Sequence, residues 1–193
     1  MNKLIFATNN QHKVEEIRIV LGNIFEIITL REAGIEIDIP ESHDSLEANA
    51  KEKSFTIFTL TNQNCFSEDT GLEVDVLHGE PGVKSARYAG EDRSFDANID
   101  KLLNKMKTFN NRVARFRTVI SLILNGEEKQ FEGICEGIIL KERRGIYGFG
   151  YDPVFMPDGS NKAFAEMNIK QKNSFSHRKK AMVSLINFLQ TLQ

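Results

Sequence analysis

Three acidic residues are the first candidates for chemistry in this sequence: Glu41, Glu68 and Asp69. Magnesium prefers hard carboxylate oxygens and usually keeps several waters, so one or two protein carboxylates and the phosphate oxygens of a substrate complete its coordination shell. Glu68 and Asp69 are neighbours, and on an extended backbone they would point to opposite faces and serve different purposes. The residues Asp-Thr-Gly are also typical of turns, so a capped turn is an equal alternative for this pair.

A polar segment from Thr8 to Lys13 joins a predicted strand to a predicted helix. Backbone N–H groups at the start of a helix attract anions, and a lysine in the first turn adds a positive charge. The segment therefore suits a polyphosphate. It lacks the glycines and the spacing of a Walker P-loop, and an ordinary polar helix cap explains the same residues.

Two further segments, one at 148–153 and one at 172–178, combine residue types that can recognise a base. In the first, two glycines bracket Phe149; glycine lets a ligand approach closely, and an exposed phenylalanine offers a face on which a base can stack. A structural turn is the competing explanation. In the second, the sequence Ser-His-Arg (176–178) begins a predicted helix, where cations are disfavoured by the positive end of the helix dipole. That local conflict favours a binding site over a solvated surface.

The elements that would hold these residues follow from hydrophobic periodicity and turn signals. Short apolar runs predict strands at 4–7 and 25–30, and a third strand that begins at Cys65 and ends in an acidic turn at 68–71. Alternating apolar and polar residues predict a hairpin of two strands, 114–124 and 129–140, with its turn at Asn125-Gly126. Apolar residues at helical spacing predict four helices. The first runs through 14–21 and stops at Gly22, and the second begins after a cap at Ser45. The third covers 95–106, and the fourth begins at about 176 and has Leu192 on its buried side. Asp69 would then project from the end of a strand, and 31–44 would form a loop. Helices interleaved with strands predict one α/β domain, 1–193, with a mixed sheet.

Composition and charge narrow the class of protein. The chain has 193 residues, of which 40% are hydrophobic and 27% charged, as is ordinary for a soluble globular protein. A net charge of −2 argues against a broad nucleic-acid-binding surface. The two cysteines, Cys65 and Cys135, have no CxxC spacing, and reduced thiols in the cytoplasm are the expectation. The apolar run near the N-terminus is too short for a signal peptide, and no stretch approaches the roughly 18 residues of a membrane span, so we expect no membrane partner.

In their order and spacing, five motifs resemble those of the inosine triphosphate pyrophosphatase family, the RdgB-like XTP/dITP diphosphatases. They extend over almost the whole chain and lie at 7–10, 68–72, 81–88, 148–153 and 176–178. The resemblance implies an elongated α/β fold, with a long mixed β-sheet flanked by helices and two lobes around a central substrate cleft, and usually a homodimer. It also implies Mg²⁺ as the cofactor, and hydrolysis of ITP, dITP and XTP between the α- and β-phosphates to a nucleoside monophosphate and pyrophosphate.

Carried over by position, the resemblance assigns Asp69 as general base and metal ligand and Glu41 as the second metal ligand. The phosphate-side substrate contacts that it implies are Thr8, Asn9, Asn10, Lys13, Lys53 and Thr70. The base-side contacts are Phe149, which would stack on the purine, then Gly150, Tyr151 and Asp152, and finally Lys172, His177 and Arg178, which would read the base edge. Donors that face the 6-keto oxygen of hypoxanthine would be left unpaired by adenine, which discriminates strongly against ATP.

One departure from the family pattern bears on the metal site. Ala48 replaces the usual glutamate of the second helix, and Glu47 points about 100° away from that position on a helix. The predicted metal site is therefore restricted to Glu41 and Asp69. Two other functions stay open: a Maf-type pyrophosphatase that acts on pyrimidine or modified nucleotides, and a nucleotide- or RNA-binding module without catalysis.

Overall fold

The structure, a computed structural model, describes residues 3–21 and 26–192. The strands are β1 (Lys3–Phe6), β2 (Glu26–Thr29), β3 (Cys65–Val74), β4 (Pro81–Gly82), β5 (Val113–Leu124), β6 (Glu127–Ile139) and β7 (Phe155–Pro157). The helices are α1 (Gln11–Leu21), α2 (Leu46–Thr61), α3 (Phe95–Lys105), α4 (Ile169–Lys172) and α5 (His177–Gln190). No helix in the described ranges is long and apolar enough to cross a membrane.

One mixed sheet contains these strands in the order β2-β1-β3-β5-β6-β7, with β4 paired to β3. β1 is parallel to β2, where Leu4 lies opposite Ile27, and parallel to β3, where Phe6 lies opposite Phe66. β4 is antiparallel to β3, and β7 is antiparallel to β6. The predicted α/β class with a mixed sheet and flanking helices is confirmed.

The chain separates into two compact units. Unit 1 comprises Met1–Asp69, Thr118–Gly133 and Arg178–Gln193, and unit 2 comprises Thr70–Arg117 and Ile134–His177, each described over the ranges given above. The single domain over the whole chain, and the two lobes with a central cleft, stay predictions.

β1 is buried on both faces within unit 1. Leu4 and Phe6 belong to a cluster formed with residues of α1 and α5, and the ring of Phe6 stacks on that of Phe66 with centroids 4.5 Å apart. Ile5 and Ala7 belong to a second cluster, which includes residues of α2. Alternate residues of a strand point to opposite faces, so burial of both faces explains why β1 is a continuous apolar run.

The side chains of β3 also point alternately to two covered faces, and some of them are polar. Cys65 and Ser67 each bond to a backbone carbonyl of α2, whereas Phe66 packs in the cluster of α1 and α5. The strand continues through the acidic residues to Val74. The predicted end of this strand in an acidic turn is therefore wrong, because covered faces override the local turn chemistry, and Asp69 lies inside the strand.

Unit 2 has a hydrophobic core of its own, which combines apolar residues of β3 and α3 with aromatic rings. Its buried members include Leu72, Val74, Ile99, Leu102, Phe116, Tyr151, Phe155 and Phe164. Phe116 meets Phe155 edge-on, with ring centroids 4.7 Å apart. Because Tyr151 is part of this core, the glycine-rich segment before it is anchored at one end.

Most of the predicted elements are confirmed. β1, α1, β2, α3 and α5 lie where periodicity placed them, and Ser45 caps α2 by accepting the N–H of Ala48 at 3.2 Å. The hairpin of β5 and β6 turns at Asn125 and Gly126, whose φ angles are 53° and 87°. These are the left-handed values that an Asn-Gly hairpin turn requires.

A few predictions differ from the structure or lie outside it. Leu192 is 56% exposed, so its predicted burial is wrong. The short elements β4, β7 and α4 were not predicted, because two to four residues carry too little periodicity. The helix stop at Gly22 and the strand start at Phe25 lie outside the described residues. Both cysteines are buried free thiols.

Candidate active site

A lysine and two carboxylates meet in unit 1. The Nζ of Lys53 lies 2.8 Å from Glu41 Oε1 and 2.8 Å from Asp69 Oδ1. Lys53 is 7% exposed and Asp69 is 5% exposed, so both charges are largely shielded from water. Buried charges are tolerated when they are paired and hydrogen-bonded, as they are here. The structure therefore brings together the two predicted metal ligands, around the lysine that the family resemblance assigned to the triphosphate.

One face of α2 holds the loop that carries Glu41. Asn49 accepts the N–H of His43 at 3.0 Å and donates to its carbonyl at 3.1 Å, and Glu52 Oε2 lies 3.1 Å from His43 Nε2. Glu52 and Lys53 lie three and four residues after Asn49, so each of them is a neighbour of Asn49 on the helix surface. Asn49 was not among the predicted site residues; an asparagine on the buried side of a predicted helix is the signal that indicates such a contact.

The shared environment moves the pKa values of this cluster. Burial by itself would lower the pKa of Lys53, but the Asp69 and Glu41 carboxylates outweigh it and raise that pKa. Burial raises the pKa of Asp69, and the charge of Glu41 acts in the same direction, against the opposing effect of Lys53 and Lys13. Lys53 is therefore held protonated, and Asp69 is a stronger base than an exposed aspartate.

Glu68 has a different set of partners. Its carboxylate accepts Arg178 Nε at 2.8 Å and Nη2 at 2.9 Å, and its Oε1 lies 3.0 Å from Lys13 Nζ. Burial would raise the pKa of Glu68, but Arg178 and Lys13 hold it well below its usual range. Glu68 and Asp69 thus point to opposite faces of an extended strand, as predicted, and their pKa values are displaced in opposite directions.

The polar segment before α1 is organised around Asn10. The Asn10 side chain accepts the N–H of Lys13 at 3.3 Å, which caps the helix, and the Asn10 N–H donates to Thr8 Oγ1 at 3.2 Å. Asn9 is exposed, and its side-chain amide donates to the carbonyl of Ile37 at 2.9 Å. These contacts are those of a helix cap. The part of Thr8, Asn9 and Asn10 in substrate binding stays a prediction.

Asp152 and Lys172 form a buried ion pair in unit 2. Lys172 Nζ lies 2.7 Å from Asp152 Oδ2, and the same oxygen accepts the N–H of Phe149 at 3.0 Å. Lys172 Nζ is also 5.1 Å from the centre of the Phe149 ring, which is a cation–π distance. Gly148 has a φ of 77°, and a Cβ there would lie 2.0 Å from Asp152 Oδ2. The ion pair therefore fixes the Phe149 loop and requires glycine beside it.

The other base-side residues are placed as follows. Tyr151 is 4% exposed, and its hydroxyl donates to a backbone carbonyl at 3.0 Å. His177 is 3% exposed and stacks on Phe116 with 4.7 Å between the ring centroids. Gly150 has a φ of 62°, and a Cβ there would have no atom within 4 Å, so the loop is open at this position. Thr70 is half-buried in β3. The roles of Tyr151, His177 and Gly150 toward a base, and that of Thr70 toward the phosphates, stay predictions.

Arg178 is the predicted site residue whose surroundings differ most from the expectation. The family resemblance grouped it with Lys172 and His177 as a reader of the base edge. In the structure Arg178 belongs to unit 1, is 2% exposed, and donates to Glu68 and, through Nη1, to Glu16. Glu16 was missed, because a cation at the start of a helix indicates an anionic partner without identifying it.

The donor set of unit 1 fits magnesium. Glu41 and Asp69 each place an oxygen 2.8 Å from one cationic atom, so both can approach a common point. Carboxylate oxygens are the hard ligands that magnesium prefers, and water and phosphate oxygens usually complete its shell. Among the described residues, no group of three or more His, Cys, Asp or Glu side chains is arranged to hold a metal ion. The assignment of Glu41 and Asp69 as the magnesium ligands, with phosphate oxygens beside them, stays a prediction.

Comparison with known proteins places this geometry in a family context. A sequence model described as the Ham1 family matches residues 4–188. The chain is 50% identical over 190 residues to the dITP/XTP pyrophosphatase of Porphyromonas gingivalis, with 98% of each chain covered. It is 45% identical over 187 residues to the dITP/XTP pyrophosphatase of Christiangramia forsetii, with 97% of this chain and 98% of the relative covered. The solved structure of the Ham1 protein of Staphylococcus aureus matches with a TM-score of 0.91 at 37% identity, with 100% of both chains covered.

Proposed function

The chain belongs to the Ham1 family, and from this membership we propose that it is a nucleoside-triphosphate pyrophosphatase that removes deaminated purine nucleotides. Its substrates are ITP, dITP and XTP, and its products are a nucleoside monophosphate and pyrophosphate. The observation that carries the proposal is the cluster of Glu41, Lys53 and Asp69, which joins two magnesium-type carboxylates to a buried ammonium. This cluster occurs in a chain that is 50% identical to a dITP/XTP pyrophosphatase.

Asp69 acts as the general base of the reaction. Its raised pKa suits it to take a proton from a water molecule, whose oxygen forms the new bond to the α-phosphorus. The bond from that phosphorus to the bridging oxygen breaks, and pyrophosphate leaves with the electron pair. Glu68 is unsuited to this step, because Arg178 and Lys13 keep its pKa low and its carboxylate ionised.

Positive side chains stabilise the charge that develops on the phosphates. Lys53 stays protonated beside Asp69, and Lys13 lies in the first turn of α1 with its side chain 14% exposed. Glu41 and Asp69 would hold magnesium, which would further neutralise the charge on phosphate oxygens. The remaining phosphate-side contacts of the proposal are Thr8, Asn9, Asn10 and Thr70.

Recognition of the base is assigned to residues of unit 2. Phe149 provides the ring on which a purine stacks, and the ion pair of Asp152 and Lys172 orients its loop. Lys172 and His177 supply donors for the 6-keto oxygen, with Gly150 and Tyr151 completing the wall. Adenine presents an amino donor at that position and would leave the protein donors unpaired, which disfavours ATP.

Product analysis with a panel of triphosphates tests the proposal. With magnesium present, ITP, dITP and XTP should yield pyrophosphate, and ATP and GTP should be much poorer substrates. Release of orthophosphate, or equal turnover of ATP, would refute the proposed reaction. An Asp69→Asn variant should lose turnover and still bind ITP, and a wild-type chain that binds ITP without hydrolysing it would support the binding-module alternative.

The proposal also includes Mg²⁺ as the cofactor and a homodimer, which the family resemblance implies, and a cytoplasmic location. Chelation with EDTA should abolish turnover, and addition of magnesium should restore it. Sedimentation equilibrium tests the homodimer: a mass of one chain at all concentrations would contradict it. The curated relatives are named dITP/XTP pyrophosphatases, so the Maf-type alternative is not favoured.

A further inference from the structure

Phe149 belongs to a loop of unit 2 whose main chain is fixed by hydrogen bonds. The N–H of Phe149 donates to Asp152 Oδ2 at 3.0 Å. Earlier in the loop, the N–H groups of Ile146 and Tyr147 both donate to the carbonyl of Ala165, at 2.9 and 3.0 Å. Hydrogen bonds to the main chain do not select a side-chain rotamer. The direction of the Phe149 ring therefore depends on the groups that the ring itself contacts.

Phe95, the first residue of α3, is one of the groups that contact this ring. The Phe95 and Phe149 rings have centroids 6.2 Å apart and an interplanar angle of 45°, which is a tilted aromatic contact. Lys172 contacts the same ring, with Nζ 5.1 Å from its centre. The ring of Phe149 is therefore held by a cation at the end of α4 and by an aromatic ring at the start of α3.

Phe95 has a position on α3 that the hydrophobic core does not explain. It begins the apolar stripe of this helix, which continues through Ile99 and Leu102 to Met106 at spacings of four, three and four residues. The three later members are at most 1% exposed and belong to the core of unit 2. Phe95 is 42% exposed. The stripe thus extends beyond the core, and its exposed end meets Phe149.

Arg143 joins the first turn of α3 to the segment that leads to Phe149. Its Nη2 donates to the carbonyl of Asp96 at 3.1 Å and lies 2.9 Å from Asp100 Oδ1. The start of the helix is itself fixed by Ser94, whose side chain caps α3. The helix and the loop are therefore joined at two places, by this arginine and by the two aromatic rings.

The distance between the two rings decides between two possible roles of Phe95. A planar base held between two rings needs two van der Waals contacts of about 3.5 Å each, or about 7 Å between parallel ring planes. The rings of Phe95 and Phe149 are 6.2 Å apart and tilted by 45°. They contact each other and do not bracket a base, so the geometry favours a brace for Phe149.

We propose that Phe95 is a positioning residue for purine stacking: its ring holds the ring of Phe149 in the orientation in which a base stacks on it. This role rests on the proposed function, in which Phe149 is the stacking ring. An aromatic pair adds a directional contact to the burial of apolar area. Phe95 therefore strengthens binding of the nucleoside part of the substrate and has no effect on binding of the triphosphate part.

Three substitutions at position 95 separate the aromatic ring from its bulk. Phe95→Tyr keeps the ring, Phe95→Leu keeps an apolar side chain without the ring, and Phe95→Ala removes both. The matched control is Phe109→Ala, which removes another exposed ring of unit 2, 40% exposed, in the segment after α3. Both positions are exposed, so each variant should fold as wild type does. Circular dichroism and thermal denaturation check this.

Two ligands separate the nucleoside part from the phosphates: ITP, and inorganic tripolyphosphate, which has no base. Both are measured by calorimetry in EDTA, where a magnesium-dependent reaction does not proceed. Phe95→Ala and Phe95→Leu should bind ITP roughly three- to tenfold more weakly than wild type, which is the contribution of an aromatic pair. Phe95→Tyr and Phe109→Ala should stay within about 1.5-fold of wild type, and tripolyphosphate affinity should be the same in all variants.

A double-mutant cycle with Phe149→Ala tests whether Phe95 acts through that ring. In the Phe149→Ala background, Phe95→Ala should weaken ITP binding by less than about 1.5-fold further. A larger further loss would show that Phe95 meets the base directly and would overturn the proposal. Wild-type ITP affinity in Phe95→Ala or Phe95→Leu, a loss in Phe95→Tyr, or an equal loss for tripolyphosphate would also overturn it.

Failure of this proposal is distinguishable from failure of the proposed function. If Phe149→Ala weakens ITP binding and Phe95→Ala does not, only the role of Phe95 is refuted. A wild-type chain that does not bind ITP, or a Phe149→Ala variant that binds it as wild type does, would refute the role of Phe95 together with base stacking. These are binding measurements, so failure to release pyrophosphate from ITP would overturn the proposed reaction alone.

Discussion

Replacing Lys53 with methionine should destabilise the protein and make its stability depend on magnesium. The change removes the ammonium that lies 2.8 Å from each of Glu41 and Asp69, and it leaves two carboxylates facing each other. Removal of one partner of a buried ion pair costs about 3–5 kcal/mol. The side chain of Glu41 is 22% exposed and therefore partly hydrated. The expected loss in the free energy of unfolding lies near the lower bound, at about 3 kcal/mol.

The loss should depend on pH with a definite sign. Burial raises the pKa of Asp69 above its ordinary value of 3.8, so the folded chain binds this proton more tightly than the unfolded chain. The contribution of this group to the free energy of unfolding therefore falls as the pH rises from 3.8 towards the native pKa. Removal of the ammonium of Lys53 raises the native pKa of Asp69 further. The variant should thus lose less stability, relative to wild type, in acid than at neutral pH.

Magnesium should offset part of the loss. A ligand at 100 times its dissociation constant adds about 2.7 kcal/mol to the free energy of unfolding. In the wild-type chain the ammonium of Lys53 competes with magnesium for the same two carboxylates, and in Lys53→Met it does not. The variant should therefore gain more stability from magnesium than wild type gains.

Urea unfolding of wild type and Lys53→Met, in EDTA or in magnesium chloride and at acidic and neutral pH, measures all three effects. Lys3→Met is the control, because Lys3 pairs with Glu26 at the surface and both side chains are well exposed. That change should alter the free energy of unfolding by no more than about 0.5 kcal/mol. Equal midpoints for wild type and Lys53→Met, or equal stabilisation of both by magnesium, would refute the reasoning.

Three further substitutions test other contacts. Phe149→Ala should weaken ITP binding by about 1–3 kcal/mol, the stacking contribution of a base, and leave tripolyphosphate affinity unchanged; calorimetry that finds equal losses for both ligands would contradict stacking. Lys172→Met should lower the free energy of unfolding by about 3–5 kcal/mol. The reason is that Asp152, whose side chain is 3% exposed, would lose the ammonium with which its carboxylate pairs. Addition of Asp152→Asn should recover part of that loss in urea unfolding, and no recovery would argue against an ion-pair origin. Ser45→Ala should remove the cap of α2 at a cost of about 1 kcal/mol, and an unchanged urea midpoint would show that the cap contributes nothing.

The parts of the fold that were predicted correctly depend on interactions between near neighbours. Ser45 and the N–H of Ala48 are three residues apart, and the hairpin turn consists of Asn125 and Gly126 themselves. The apolar spacing of α1, α3 and α5 repeats within each helix. In all of these cases both partners of the interaction lie in one short window of sequence, so local rules predict them.

The residues whose surroundings differ from the local expectation depend on distant partners. The local sequence around Glu68 and Asp69 carries turn signals, yet both residues lie in a strand because charged groups from other elements pair with them. Arg178 lies 110 positions from Glu68 and 162 positions from Glu16. No window used for periodicity or turn signals contains both members of such a pair. The same distance explains why the carboxylate partners of Arg178 could not be named from the sequence.

The extended conformation of β3 is what separates the roles of its two acidic residues. Ser67 and Asp69 contact α2, whereas Phe66 and Glu68 face α1 and α5. Glu68 receives two cations, and its pKa falls; Asp69 is buried and shares one ammonium with Glu41, and its pKa rises. Neighbouring carboxylates whose pKa values are pushed apart can take distinct acid–base roles. A shift of one residue would exchange the two faces of a strand. The ion pairs of Glu68 therefore contribute to the proposed catalysis indirectly, because they fix the register in which Asp69 is the available base.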